Sequence, residues 1–248
     1  MKLTTLLINL DDSTERLARA QADLDGAGIP FQRVSAYDAR QMNPLDIPGY
    51  DEEGALGYMG RKLKGGELGC YMSHLDCAKR FLATDADYAV VLEDDMTIAA
   101  SDARQVIHDV LTYLESQHFE WYLINIGALK RKIFTPLQSF DGHQLSRAHY
   151  FPMTTTGLIW TRAGAEAFIR SYKPIFAPVD NYFRHWLTDN NKGLSLFPPI
   201  VVPSGAESEI DGAATKRKTT GRSPLHGLLK QRRLWSDKIK AFRHKLRA

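Results

Sequence analysis

The stretch Tyr88-Ala-Val-Val-Leu-Glu-Asp-Asp95 decides the fold. Its apolar part is short and uninterrupted, which is typical of a strand buried on both faces of an open α/β sheet. Three acids follow directly, and ligands bind beyond the carboxyl ends of strands in such sheets. The crowded carboxylates of Glu93, Asp94 and Asp95 repel one another, and a hard divalent cation such as Mg²⁺ or Mn²⁺ would offset that repulsion. A solvated acidic turn capping the next helix explains the triplet equally well at this stage.

The segments on either side extend this pattern into alternating strands and helices. An apolar strand is predicted at 3–10, a helix at about 13–27 with Asp12 and Glu15 as its cap arrangement, and a strand at 31–35. Further strands are predicted at 121–126, 157–161 and 194–202, the last interrupted by Pro198-Pro199, with a hairpin in 128–150. Further helices are predicted at about 67–83, after a cap at Ser101, at 163–172 and at 178–187. The expected fold is α/β, with an open, mostly parallel sheet flanked by helices.

Residues 38–66 contain two prolines and several glycines and lack a clear period. A long irregular stretch inside a compact domain is usually a functional loop or lid, and this is the interpretation we test.

Charge divides the chain into two parts. The net charge is +3, yet residues 216–248 carry +11, so residues 1–215 carry −8. We therefore expect an α/β domain at 1–215 and a basic helical tail at 216–248. Five apolar residues recur in the tail at helical spacing between Lys and Arg: Leu228, Trp235, Ile239, Phe242 and Leu246.

This tail pattern favours an interfacial helix that binds an anionic membrane surface. Packing of the helix on the acidic body is the main alternative, and nucleic-acid binding is not predicted because no recognition motif accompanies the charge. Cys70 and Cys77 lie about 10 Å apart along a helix at ~1.5 Å per residue, too far for a disulfide, which indicates a reducing compartment. No signal-peptide pattern is visible. The expected location is cytoplasmic, peripheral on the inner face of the cytoplasmic membrane.

Other polar residues also follow predicted strands. Asn9-Leu10-Asp11 ends the first strand and Asp38 follows the second, so these groups could hold a nucleoside. Arg16, one turn into the first helix, could contact a phosphate or simply pair with Asp12. Cys70 and His74 lie one helical turn apart, but no second pair has ligand spacing, so zinc is not predicted.

Four segments resemble glycosyltransferase family 25, which includes lipooligosaccharide galactosyltransferases and, more distantly, collagen hydroxylysine galactosyltransferases. They are Ile8-Asn-Leu-Asp11 with Glu15-Arg16, Gly66-Glu-Leu-Gly-Cys-Tyr-Met-Ser-His74, Val91-Leu-Glu-Asp-Asp95, and Thr155-Thr-Gly157 followed by Thr161-Arg-Ala-Gly164 and Pro178-Val-Asp180. The segments keep the family's order and spacing across most of 3–202. Thr154, Leu158 and Pro203 depart from the family pattern, which puts the acceptor in doubt more than the donor.

The resemblance implies a GT-A-like fold, a UDP-sugar donor (usually UDP-galactose), Mn²⁺ or Mg²⁺, and inversion that gives a β-linkage on a lipooligosaccharide, lipopolysaccharide or similar lipid-linked glycan. Asp95 is the expected leading metal ligand and Glu93 a second one, since the two share a face if the strand persists. Asp94 is the candidate that contacts ribose or sugar in catalysis. Asp180 is the candidate general base, with helix capping as its alternative, and Asp189 and Glu207 stay open. The expected donor-binding residues are Asn9, Leu10, Asp11, Arg16, Asp38, Glu67, Ser73, His74, Glu93, Thr155 and Thr156.

Two other function classes stay open on the sequence alone. One is another metal-dependent nucleotide or phosphoester enzyme, although no P-loop or glycine-rich fingerprint is present. The other is a non-catalytic, membrane-associated glycan adaptor whose working part is the tail.

Overall fold

The computed structural model describes residues 1–205 and 222–247. The strands are β1 Leu3–Asn9, β2 Gln32–Ser35, β3 Tyr88–Glu93, β4 Met96–Ile98, β5 Leu123–Asn125, β6 Lys132–Phe140, β7 His143–Tyr150, β8 Gly157–Thr161, β9 Gly193–Phe197 and β10 Val201–Pro203. The helices are α1 Thr14–Gly26, α2 Glu52–Met59, α3 Gly65–Leu82, α4 Ala103–Glu115, α5 Arg162–Ser171, α6 Val179–Asn190 and α7 His226–Lys245.

The main sheet has eight strands in the order β2-β1-β3-β8-β5-β9-β7-β6, and β4 pairs with β10 separately. Six of the eight strands run in one direction, and only β8 and β7 oppose them. The predicted open, mostly parallel α/β sheet is confirmed. Because β8 is antiparallel to β3, Gly157 at its start pairs with Leu92 near the end of β3. The carboxyl ends of β1, β2 and β3 and the segment before β8 therefore meet at one edge.

Helices cover both faces of this sheet, so a hydrophobic core lies on each face. The central strands contribute side chains to both cores. Along β3, Ala89 and Val91 pack with the core under α3, α5 and α6, whereas Val90 and Leu92 pack with the core that contains α4. Burial on both faces explains why the run 88–92 is apolar without alternation. The predicted inward face of α4 is also confirmed, since its apolar residues from Val106 to Leu114 are buried.

The sequence prediction needs correction at residues 38–66 and at the caps of two helices. Residues 38–66 are not a structureless loop, because they contain a short 3₁₀ turn at Pro44–Asp46 and the helix α2. The predicted caps are wrong: α1 and α4 begin after Ser13 and Asp102, without a capping side-chain hydrogen bond. Asp12 instead accepts a 2.6 Å hydrogen bond from Arg40. The predicted interruption at Pro198-Pro199 is confirmed, since it separates β9 from β10.

The tail helix α7 packs on the body of the protein. It contacts α2, α6, β6 and β7. At the centre of this contact, the Arg184 Nε donates to Asp237 Oδ2 at 3.2 Å, and both side chains are almost fully buried. Arg233 donates to the Tyr58 carbonyl at 3.1 Å. Within the described ranges, no helix is both long and apolar enough to cross a bilayer.

The buried pair makes Asp237 the residue on which the docking of α7 depends. Asp237→Ala should lower the free energy of unfolding by on the order of 3–5 kcal/mol, because it leaves the Arg184 guanidinium buried without a counter-charge. Urea unfolding, together with the rate of tryptic cleavage in α7, measures this effect. The exposed neighbour Ser236→Ala is the control and should change neither quantity. Equal urea midpoints for Asp237→Ala and the native protein would contradict the assignment.

Candidate active site

Two adjoining cavities lie at the sheet edge where β1, β2 and β3 end. The first, which we call the acidic cleft, has about 640 Å³ of space between its walls, part of it open to solvent. From the predicted set it is lined by Asn9, Leu10, Arg16, Asp38, Ser73, Glu93, Asp94 and Asp95. The second, the threonine cavity, is lined from that set by Glu67, Glu93, Thr155, Thr156 and Asp180. Glu93 and Cys70 line both cavities, so the two spaces share a wall.

Asp94 is held as an ion pair at the wall of the acidic cleft. Arg16 Nη2 lies 2.5 Å from Asp94 Oδ1 and 3.7 Å from Asp95 Oδ2. The buried Asn9 donates its amide to Asp94 Oδ2 at 2.7 Å. Arg16 therefore faces the acids of the cleft and is not the surface partner of Asp12. Its positive charge offsets part of the repulsion among the carboxylates.

Asp95 has no comparable partner for one of its oxygens. Its Oδ1 is buried and makes no hydrogen bond with residues 1–205 or 222–247. Burial, followed by the charge of Glu93, raises the pKa of Asp95 to about 6. A buried carboxylate oxygen without a hydrogen-bond partner among the described residues, in a cleft that three more carboxylates line, fits a hard divalent cation. The strand does not continue to Asp95, because Asp94 and Asp95 form a turn after Glu93, and that turn places all three acids on one cleft.

Glu93 is fixed from behind by helix α3. The fully buried His74 donates from Nε2 to Glu93 Oε1 at 3.0 Å, and the Cys70 thiol lies 3.5 Å from the same oxygen. Burial opposes ionisation of Glu93, but the His74 hydrogen bond and charge hold its pKa below the usual value. Burial also raises the pKa of the Cys70 thiol. His74 thus acts through Glu93 and does not line either cavity.

The Cys70, His74 and Glu93 ligand atoms all lie within 4.8 Å of one another. Glu93 is a third possible ligand for this group, and it lies too far from Cys70 and His74 along the chain for ligand spacing to reveal it. Hydrogen bonds to one carboxylate oxygen account for both contacts, and the thiol is held protonated by burial. We therefore interpret this group as the support of Glu93.

Helix α3 reaches the cleft because glycine lets it approach another backbone. A Cβ atom on Gly65 would collide with the Ala39 carbonyl oxygen, and one on Gly69 with the Tyr37 carbonyl oxygen. Ser73 completes this contact by accepting a 2.9 Å hydrogen bond from the Tyr37 amide. Backbone atoms cannot move aside as a flexible side chain can, so larger residues at Gly65 or Gly69 would displace the wall of the acidic cleft.

The threonine cavity is bounded by the segment before β8 and the start of α6. The main-chain amide of Glu93 donates to the Thr156 carbonyl at 3.2 Å, and the Asn125 amide donates to the Thr154 carbonyl at 2.7 Å. Asp180 accepts the Asn181 backbone amide at 2.6 Å, so it stabilises the first turn of α6 and also lines the cavity. Burial raises the pKa of Asp180, and the Asn181 hydrogen bonds oppose this.

Several predicted residues make structural contacts or lie elsewhere. Glu67 forms a two-point ion pair with Arg61, at 2.8 and 2.5 Å, at the edge of the threonine cavity. Asp11 lies outside both cavities, since Arg33 and Ser35 bind its exposed carboxylate. Asp189 pairs with Lys240 of α7 and lines neither cavity. Glu207 lies outside the described residues.

The sequence argument missed some cavity residues altogether. Tyr37 and Arg40 line the acidic cleft, and Arg40 pairs with Asp38, lowering the pKa of that carboxyl. Both lie directly after β2, at the same edge as Asp38, so the position that selected Asp38 could have selected them. Met153 and Thr154 line the threonine cavity, and only the antiparallel pairing of β8 brings them there.

The profile of glycosyltransferase family 25 (LPS biosynthesis protein) matches residues 2–183. A procollagen galactosyltransferase 1 from Danio rerio is 24% identical over 80% of this chain and 36% of its own length. A probable inactive glycosyltransferase 25 family member 3 from Rattus norvegicus is 31% identical over 80% of this chain and 37% of its own. The chain thus spans about a third of the length of these curated relatives.

Solved structures with a related arrangement include Staphylococcus aureus TarS in complex with UDP-GlcNAc, with a TM-score of 0.47, 14% identity and coverage of 86% of this chain and 62% of that one. A Drosophila β-1,4-galactosyltransferase 7 in complex with manganese, UDP-Gal and xylobiose has a TM-score of 0.37, 13% identity and coverage of 84% and 67%. Similarity at this level carries no information about substrates.

The raised pKa of Asp95 predicts a stability effect in the metal-free protein. Its pKa is about 6 in the folded chain, against an ordinary value of 3.8. Between these values the folded state keeps the proton that the unfolded state has lost, so stability falls as pH rises and the full cost is present above pH 6. Asp95→Asn should therefore stabilise the protein at pH 7.5 by about 1–3 kcal/mol. Urea unfolding in EDTA measures this.

The gain from Asp95→Asn should shrink at about pH 4.5, where the unfolded chain also begins to bind the proton. Asp11→Asn is the matched control, because Arg33 lowers the pKa of Asp11 and its removal should give no gain. Destabilisation by Asp95→Asn at neutral pH would show that the cleft holds this carboxylate favourably without a cation.

Proposed function

Because the chain belongs to glycosyltransferase family 25, we propose that it transfers galactose from UDP-galactose to a lipooligosaccharide, lipopolysaccharide or similar glycan, with inversion to a β-linkage. The observation that carries this proposal is the meeting of the acidic cleft and the threonine cavity at Glu93. A transferase needs two substrates to meet at one bond, and the two spaces share one wall. The donor would occupy the acidic cleft and the acceptor the threonine cavity.

The acidic cleft offers groups suited to a nucleoside diphosphate. Arg16 supplies a positive charge beside the acids, and the ring of Tyr37 offers a face on which a base can stack. Strand ends of an α/β sheet are the usual place for such a ligand. Asn9 and Ser73 keep the wall rigid, since the buried side chain of each bonds to neighbouring chain segments.

Asp95 is the residue that would hold Mn²⁺ or Mg²⁺, with Glu93 as the second ligand, because Asp95 Oδ1 is a buried oxygen of the acidic cleft that has no hydrogen-bond partner among the described residues. When bound, the cation would stabilise the negative charge on the departing diphosphate. Asp94 contributes differently. Its ion pair with Arg16 positions the guanidinium at the cleft.

Asp180 is the proposed general base. It lines the threonine cavity together with Glu93, and its raised pKa brings it closer to neutral pH, where a base transfers protons most effectively. The acceptor hydroxyl oxygen would bond to the anomeric carbon while Asp180 takes the hydroxyl proton. The bond from that carbon to the diphosphate breaks, and UDP leaves with the bonding electrons. Attack from the face opposite UDP gives inversion.

The first experiment measures UDP release from a panel of UDP-sugars, with Mn²⁺ and after EDTA. Release should be confined to UDP-galactose, depend on the metal, and fall by at least about 100-fold in Asp95→Asn, the scale of losing a charge-stabilising group. Asp11→Asn is the control, since its carboxylate lies outside both cavities. It should retain native activity.

Release from another sugar would change the donor and leave the reaction class intact. No release, together with no Mn²⁺-dependent UDP binding by calorimetry, would reject the transferase. The glycan adaptor would then be the better hypothesis. Release of phosphate in place of UDP would favour the phosphoester enzyme.

A second experiment separates the candidate bases. Asp180→Asn keeps the side-chain oxygen that accepts from Asn181 but removes the basic group, so kcat for transfer should fall about 100- to 10,000-fold with little change in donor affinity. Asp189→Asn serves as the control because Asp189 pairs with Lys240 away from both cavities. Native kcat in Asp180→Asn would exclude it as the base.

A further inference from the structure

Helix α7 has two opposite faces that differ in polarity and in burial. Polar or small side chains face the body, where Asp237 pairs with Arg184 and Ala241 is buried. The other face is apolar and exposed, at 67% for Leu228, 60% for Trp235, 48% for Ile239, 54% for Phe242 and 86% for Leu246 just after the helix. We call these five residues the apolar stripe.

Helix geometry places the apolar stripe directly away from the body. Its members are spaced by seven, four, three and four residues, which keeps them on one side of a helix with about 3.6 residues per turn. Asp237 and Ala241 each follow a stripe residue by two positions, a rotation of about 200°. The stripe therefore lies opposite the contact with the body.

This arrangement is the reverse of what a surface helix normally does. An amphipathic helix usually buries its apolar face and exposes its polar face. Here ion pairs and hydrogen bonds hold the helix, including Lys240 with Asp189 at 2.5 Å and His244 Nε2 with the Asp189 carbonyl at 3.1 Å. The described residues leave the stripe uncovered. Contiguous exposed apolar side chains of this kind mark an interaction surface.

The charges beside the stripe indicate what covers it. Five basic residues lie beside it without an ion pair among the described residues: Arg232, Lys238, Arg243, Lys245 and Arg247. The single acid of the helix, Asp237, is buried against Arg184. The outward surface therefore combines apolar side chains with positive charge alone. A second copy of the chain would bring these cations face to face, whereas an anionic bilayer complements both features.

We propose that the apolar stripe of α7 binds the surface of an anionic lipid bilayer. Trp235 and Phe242 enter the interfacial region, and the flanking cations contact the headgroups. The binding does not depend on the proposed transfer reaction. Leu234 of the same helix borders a cleft with Met153 and Thr154, which also line the threonine cavity. A bilayer on α7 would place lipid-linked acceptors near that cavity.

The test is co-sedimentation of the full chain with vesicles of neutral phosphatidylcholine, and with vesicles that contain an anionic phosphatidylglycerol fraction. The protein should bind the anionic vesicles at least tenfold more strongly, and the difference should shrink at high salt. Trp235→Ser with Phe242→Ser should reduce this binding at least tenfold. A blue shift of tryptophan fluorescence on binding should vanish in Trp235→Phe, because Trp235 is the exposed tryptophan.

Leu45→Ser is the control, since Leu45 is 63% exposed but lies in the 3₁₀ turn Pro44–Asp46, outside α7 and outside the cleft that Leu234 borders. It should bind vesicles as the native chain does, and all variants should keep the native melting temperature. Native binding by the double variant, or no binding of the native chain to anionic vesicles, would overturn the proposal. A native dimer that the double variant converts to monomer, without vesicle binding, would assign the stripe to a second copy.

Discussion

Three carboxylates at the end of one buried strand are the constraint on which the rest of the structure depends. Each acid has a different environment. Glu93 is held by His74 and Cys70, Asp94 is paired with Arg16, and Asp95 keeps one buried oxygen without a hydrogen-bond partner in the described part of the chain. Helix α1 supplies the arginine and helix α3 the histidine, so the packing of both helices is tied to these charges. The difference between Asp94 and Asp95 is what separates a structural acid from a candidate metal ligand.

Much of the fold could be predicted because burial on both sheet faces leaves a plain signal in the sequence. The strands β1 and β3 could be predicted from their apolar runs, and α4 from its helical period. The end of β3 then predicted the sheet edge at which the acids lie. Strand direction was not accessible, since an antiparallel strand such as β8 has the same apolar run as a parallel one. For this reason Met153 and Thr154 were not predicted as cavity residues, although the resemblance singled out Thr155 and Thr156, which line the same cavity.

The site could be predicted only in part, because several of its side chains pair with residues that are distant in the sequence. Asp11 follows β1 as the sequence argument requires, but Arg33 on the neighbouring strand binds it outside the cleft. His74 was expected to contact the donor and instead contacts Glu93 from behind. Arg16 could have paired with Asp12 or faced a phosphate, and only the fold placed it beside Asp94. Position along a strand predicted the edge of the sheet, whereas contacts across the fold decided which groups open into a cavity.

The segment 154–156 is anchored through its main chain, by the Asn125 amide to the Thr154 carbonyl and by the Glu93 amide to the Thr156 carbonyl. Such bonds are indifferent to the side chains that the segment carries. Exchange of Thr154 or Thr156 would reshape the threonine cavity with both main-chain anchors kept, whereas Thr155 also bonds to Glu93 through its side chain. If the acceptor binds there as proposed, positions 154 and 156 are where the lining of its cavity can vary while the sheet keeps its pairing.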